Sequence, residues 1–214
     1  MTTPPLTVKV LDGDALKALA HPLRMRLLAA LRYHGPATAT MLGERLGESS
    51  GSTSYHLRVL AEHGFIEEVP GHAGGRGRGR ERWWRAAHDM TSWASGGFRD
   101  DPDEKAAEDW LAGYVGRAAV EWIDDFLARR DSLTPEWLGV SDQSDYQLTM
   151  TPEQTRALLA DIHAVVARHR AEVIEALQAD PEAAARARPV GMLVYALPGE
   201  GTTVDDREAA EERR

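Results

Sequence analysis

Apolar residues recur at three- and four-residue intervals along most of this chain and give way to alternation in only a few places. Leu23, Leu27, Leu28 and Leu31 fall on one face of a helix that Pro22 can open, because a first helical residue has no use for an N–H. Before it, Asp12 to Ala20 reads as a shorter helix ended by His21-Pro22, and after it Gly35-Pro36 is a stop. Thr38 can cap a third helix with Ala39, Leu42 and Leu46 inward; Gly47 closes it, and Ser49 or Ser50 caps a fourth. In that fourth helix Thr53, Leu57 and Leu60 repeat at four and three residues and face the others. The period then shortens: Phe65 to Val69 and Arg82 to Ala86 read as two strands around a long Gly/Arg loop.

From Thr91 to Pro102 the Gly-, Ser- and Asp-rich run predicts a linker. Asp103 to about Arg130 is a long helix with a stripe of Leu111, Val115, Ala118, Trp122 and Phe126. Tyr146, Leu148 and Met150 alternate like a short strand, and Thr151-Pro152-Glu153-Gln154 is a capping box that opens a helix to roughly Leu177. Leu158, Ile162, Val165, His169 and Val173 lie along one side of it, and residues 189–197, PVGMLVYAL, predict a last strand. The expected organisation is a helical domain closed by a hairpin over residues 1–90, a linker at 91–102, a helical α+β region over 103–197 and a disordered acidic tail from 198 to 214.

Charge sharpens that division. Of the 25 Lys and Arg and 34 Asp and Glu, residues 1–90 hold 12 and 9, leaving 13 and 25 for the remainder. Affinity for a polyanion therefore belongs to the first part, and the acidic second part would repel phosphates. There are no cysteines, which removes disulfides and thiolate metal sites. Neither a basic-then-apolar leader nor an 18-residue apolar run occurs, so the expectation is a soluble, cytoplasmic chain with no membrane partner.

The fourth helix carries residues that a core does not need. Ser52, Ser54, Tyr55, His56 and Arg58 lie on or beside its polar face, where hydroxyls and a guanidinium suit base edges and phosphates in a major groove. His56 has two readings of equal weight, a phosphate donor and a scaffold contact. Arg76, Arg78, Arg80, Arg82 and Arg85 fill the loop and returning strand, and Trp83 and Trp84 point to opposite faces there, so one should anchor the strand on the core. HPLRMRLLAALRYHG, the two capped helices, SYHLRVLAEHGFIEE and RERWWRAA together resemble the ArsR-type winged helix-turn-helix transcriptional regulators, in particular their larger actinobacterial-style members. The likeness spans about residues 12 to 90, and the run from Ser54 to Ile66 is its most specific part.

That resemblance implies a mainly α fold with small β, an N-terminal winged helix-turn-helix followed by an α+β dimerisation and effector region with long helices. It also implies double-stranded DNA as partner, a homodimer paired through the first helix and the long helix after the wing, and repression by promoter occlusion. Some relatives sense metals through Asp, His and Glu on a dimer-interface helix, and Asp161, His163, His169 and Glu172 look superficially similar. His163 and His169 are six residues apart, a turn of about 240° that separates their faces, so no metal and no cofactor is expected. Trp110, Tyr114, Trp122 and Trp137 are a candidate pocket for a small-molecule effector, with core or dimer interface as the plainer reading. No nucleotide-binding or hydrolase motif is present, and the chain after the wing is too short for a doubly wound sheet, so no enzyme is expected. The alternatives are a protein–protein adaptor and a nonspecific nucleic-acid binder.

Overall fold

The computed structural model describes residues 7–70, 82–93, 95–200 and 202. It divides into two compact units, one reaching Ser141 and the other beginning at Asp142.

The first unit opens with strand β1 (Val8–Val10) and helices α1 (Gly13–Leu19) and α2 (Pro22–His34). Asp12 caps α1 by accepting from the Ala15 N–H, His21 caps α2 through its ring, and Gly35 ends α2 at a φ of 81°. The short strand β2 (Ala37–Thr38) leads into α3 (Ala39–Leu46) and α4 (Ser50–Glu62). Strands β3 (Ile66–Glu68) and β4 (Trp83–Ala86) form an antiparallel hairpin, and β2 joins the free side of β4 to give the order β2-β4-β3. Leu16, Leu27, Leu42, Leu57, Leu60 and Phe65 are fully buried where the helices and this sheet meet. Trp84 is the tryptophan that anchors the hairpin, while Trp83 stays half-buried on the other face.

A second pairing was not legible in the sequence. β5 (Met90–Ser92) runs parallel to β1, so Thr91 and Ser92 belong to a strand and not to a linker. Asp89 clasps Thr7 across 82 residues, its carboxylate accepting from the Thr7 backbone N–H at 2.9 Å and hydroxyl at 2.8 Å. Arg32 holds the same strand from α2, its Nε donating to the His88 carbonyl at 3.1 Å and its Nη2 to the Thr91 hydroxyl at 2.8 Å. Burial lowers its pKa to about 10, with Asp89 opposing the shift, so the guanidinium remains charged near neutrality. Arg32→Met should destabilise the unit by about 1 to 3 kcal/mol, since it leaves both acceptors without this donor. Chemical denaturation checks this, and Arg32→Lys should not restore it because an ammonium cannot span the two acceptors.

Asp101 caps α5 (Pro102–Arg129), whose N-terminal half packs on α1 through Ala107 and Leu111 and the Lys17–Glu104 ion pair at 3.5 Å. The expected stripe holds for Leu111 and Val115; beyond them Ala118 and Trp122 are exposed and Phe126 is half-buried. A short helix, α6 (Pro135–Gly139), completes this unit.

The second unit is built on α7 (Pro152–Ala179), opened by the expected capping box between Thr151 and Gln154, with α8 (Pro181–Arg186) behind it. Its half-buried stripe is Thr155, Leu159, Ile162, Val166, Arg170, Ile174 and Leu177, rotated from the expected one, and Leu158, Val165 and Val173 are exposed. The two strands expected at residues 146–150 and 189–197 do not form. A strand exists only through a paired neighbour, and among the described residues neither segment has one. Most of the tail lies outside the described residues.

Candidate nucleic-acid interface

The residues expected to read DNA are set by the joint between α3 and α4. Thr38 caps α3 by accepting from the Met41 N–H, and Gly47 leaves it in the left-handed conformation at φ 69°. Ser49 then caps α4 by accepting from the Ser52 N–H at 3.2 Å. The helices approach at Gly43, where a Cβ would stand 2.8 Å from the Glu48 carbonyl oxygen and 3.3 Å from the Thr53 hydroxyl. Gly43→Ala should therefore push α4 off α3 and cost about 1 to 3 kcal/mol, as overpacked sites do. A thermal melt equal to that of the parent would show that the joint yields freely.

With Thr53, Leu57 and Leu60 buried, α4 turns Tyr55 and Arg58 outward, and Ser52, Ser54 and His56 lie half-buried at the margins. The His56 ring meets the His21 ring at a centroid distance of 4.3 Å, with the planes tilted by 34°. The hairpin brings Arg82 and Arg85 to the same unit, exposed; Arg85 pairs with Glu67 across the strands at 2.8 Å, and Arg82 sits 3.9 Å from Glu68. Arg76, Arg78 and Arg80 lie outside the described residues.

Between α3, α4 and the hairpin runs a groove of about 510 Å³ lined by Thr38, Ala39, Thr40, Ser54, Arg58, Arg82 and Trp84. It joins residues from the two sequence-predicted sets, Ser54 and Arg58 from the helix and Arg82 from the strand. Thr38 and Thr40 were missed as lining residues; their signal is a threonine pair at a helix start, which sequence reading spends on the cap alone. Two guanidiniums and three hydroxyls along one trough suit an anionic backbone.

Residues 19–69 match the family model described as a helix-turn-helix domain. This segment is a helix-turn-helix domain. With the β3–β4 hairpin beside it the unit has the arrangement of a winged helix-turn-helix. Solved structures that align with the chain include the transcriptional repressor BigR from Xylella fastidiosa, at 24% identity and a TM-score of 0.29, covering 48% of this chain and 81% of that one. A homodimeric winged helix-turn-helix DNA-binding domain from Mycobacterium bovis, titled a possible ArsR-family regulator, aligns at 20% identity and a TM-score of 0.29, covering 55% and 83%. An ArsR-like transcriptional regulator from a Rhodococcus species aligns at 22% identity and a TM-score of 0.28, covering 57% and 92%. No curated protein sequence matches the chain. In the helix-turn-helix, Arg26 ties the turn to α2 by donating to the Leu46 carbonyl at 2.6 Å and pairing with Glu48 at 3.1 Å. The joint is thus held from behind while its outer face stays open.

The other candidates are less gathered. Trp110 and Tyr114 stack at 5.2 Å, Trp122 is exposed and Trp137 is half-buried on α6; none of the four lines the groove. His169 meets Glu172 at 3.2 Å on α7, and among the described residues no three His, Cys, Asp or Glu side chains converge as metal ligands. Among the described residues no helix is long and apolar enough to cross a membrane.

Proposed function

We propose that this chain is a sequence-specific DNA-binding transcriptional regulator that works as a homodimer and represses by occluding a promoter, with no catalytic activity of its own. The observation that carries the reading is the groove in which Arg58 of α4 and Arg82 of the hairpin line one trough beside the outward face of the helix-turn-helix. In this reading Ser52, Ser54, Tyr55 and Arg58 contact bases and phosphates in the major groove, and Arg82 with the loop arginines follows the backbone. The exposed apolar residues of the second half of α5, Val120, Trp122, Ile123 and Leu127, support pairing of two copies. A signal at the Trp110, Tyr114, Trp122 and Trp137 region would act by altering the spacing of the paired α4 helices.

The test is selection of random duplex DNA by the purified protein, with enriched sites retested at two salt concentrations. Recovery of an inverted repeat with half-sites about 34 Å apart is the expected result. Failure to enrich any sequence, with binding that vanishes as salt rises, would reduce the protein to a nonspecific polyanion binder. No binding at all would favour the adaptor.

A further inference from the structure

Where the start of α2 meets α4, two imidazoles come together beside the buried leucines. His21 and His56 lie with ring centroids 4.3 Å apart and planes tilted by 34°. His21 is also the N-cap of α2, and its Nδ1 accepts the Leu23 N–H at 3.1 Å. An accepting Nδ1 carries no proton, so this ring is neutral with its hydrogen on Nε2. The Nδ1 of His56 is buried with no hydrogen-bond partner. A bare lone pair there costs less than an N–H that finds no acceptor. An imidazolium needs donors on both nitrogens; on His21 the second would face the Leu23 N–H, and on His56 it would be buried without an acceptor among the described residues.

The surrounding charges act in the same sense. Arg24 lies on α2 with its Nε buried and without a partner, its Nη2 donating to the Lys17 carbonyl of α1 at 3.4 Å. Tyr55 meets His56 edge-on at 5.1 Å. Among the described residues the opposing group is Glu48, in the turn before α4, and Arg26 already pairs with it at 3.1 Å. Burial first, then Arg24, lowers the His21 pKa from its ordinary value. Burial first, then His21 and Arg24, does the same for His56.

We propose that the His21–His56 stack is an acid-labile seat for the DNA-reading helix: neutral, it holds α4 against α2, and protonated, it lets α4 shift. His21 and His56 are on this account positioning residues. The sign follows from their lowered values. Between that value and the ordinary one of about 6.5 the unfolded chain binds more protons than the folded one, so the stabilisation is complete above about pH 6.5 and is lost as pH falls. Electrostatics alone predicts the opposite for DNA, because a protonated His56 near phosphates would tighten binding in acid.

The proposal rests on the DNA-reading role given above, and the experiment separates the two. Melting temperature without DNA, and affinity for mixed-sequence duplex DNA at fixed salt, are measured from about pH 8 to about pH 5.5. The parent is compared with a His21→Asn, His56→Gln variant, in which Asn keeps a capping oxygen. The expected result is a melting temperature that falls more steeply with acid in the parent than in the variant. Duplex affinity should fall by about fivefold or more in the parent and stay level or tighten in the variant. Parallel melting profiles, or equal tightening of both proteins in acid, would overturn the seat. If the double variant does not fold, His56→Gln alone carries the comparison. A pH-dependent melt difference without duplex binding at any pH would remove the DNA-reading role and leave the seat standing.

Discussion

Trp84→Ala should cost about 3 to 5 kcal/mol of folding free energy, the range for emptying a buried tryptophan site. The ring is 7% exposed and sits where three strands and the helices meet. Its residue pairs with Ala37 of β2 on one side and with Glu68 of β3 on the other, so the loss reaches both neighbours of β4. Ala37 and Ile66 are themselves buried around it, and neither is long enough to fill the space. With typical stabilities of about 5 to 15 kcal/mol, such a loss takes from about a fifth to all of the margin. Denaturant unfolding reads it directly. A midpoint within error of the parent would mean that the hairpin is not anchored by this residue, and the groove would then lack one wall.

Arg58→Ala should weaken the selected operator by about 1 to 3 kcal/mol while leaving random duplex nearly unaffected. Arg58 has no salt-bridge partner within 4 Å among the described residues, so its removal orphans no carboxylate and the fold should be spared. Arg82→Ala should behave otherwise, weakening all duplexes alike and reducing the dependence on salt by about one counterion. Glu68, at 3.9 Å, is half-exposed and loses little when Arg82 goes. Titrations of both variants against operator and random DNA at two salt concentrations check the pair. Equal losses on both DNAs for both variants would contradict the division of labour between helix and hairpin.

How much of this was legible depended on whether a feature is written locally. Asp12, Pro22, Thr38, Gly47, Ser49 and Thr151 each sit where a cap or start needs them, and the helix boundaries follow within a residue or two. The core leucines of α2 and α4 were equally plain, since period and burial agree there. β1 and β5 were not, because three residues carry too little pattern and the pair depends on Thr7 meeting Asp89 from 82 residues away. On α7 the failure was one of phase. Leu158, Val165 and Val173 form an apolar row beside Leu159, Val166 and Ile174, and periodicity cannot say which of two adjacent rows is covered. In the site, Arg58 and Ser54 were read from the helix, but their meeting with Arg82 and Thr40 depends on the hairpin's tertiary placement.

The β1–β5 clasp also bears on the order in which the unit assembles. Helices α1 to α4 close contacts between segments near in sequence, at small cost in chain entropy, whereas β1 must wait for a strand at Met90–Ser92. On a growing chain the first strand can dock only after the hairpin has emerged, and until it does the edge of β5 stands open to the same strand of another copy.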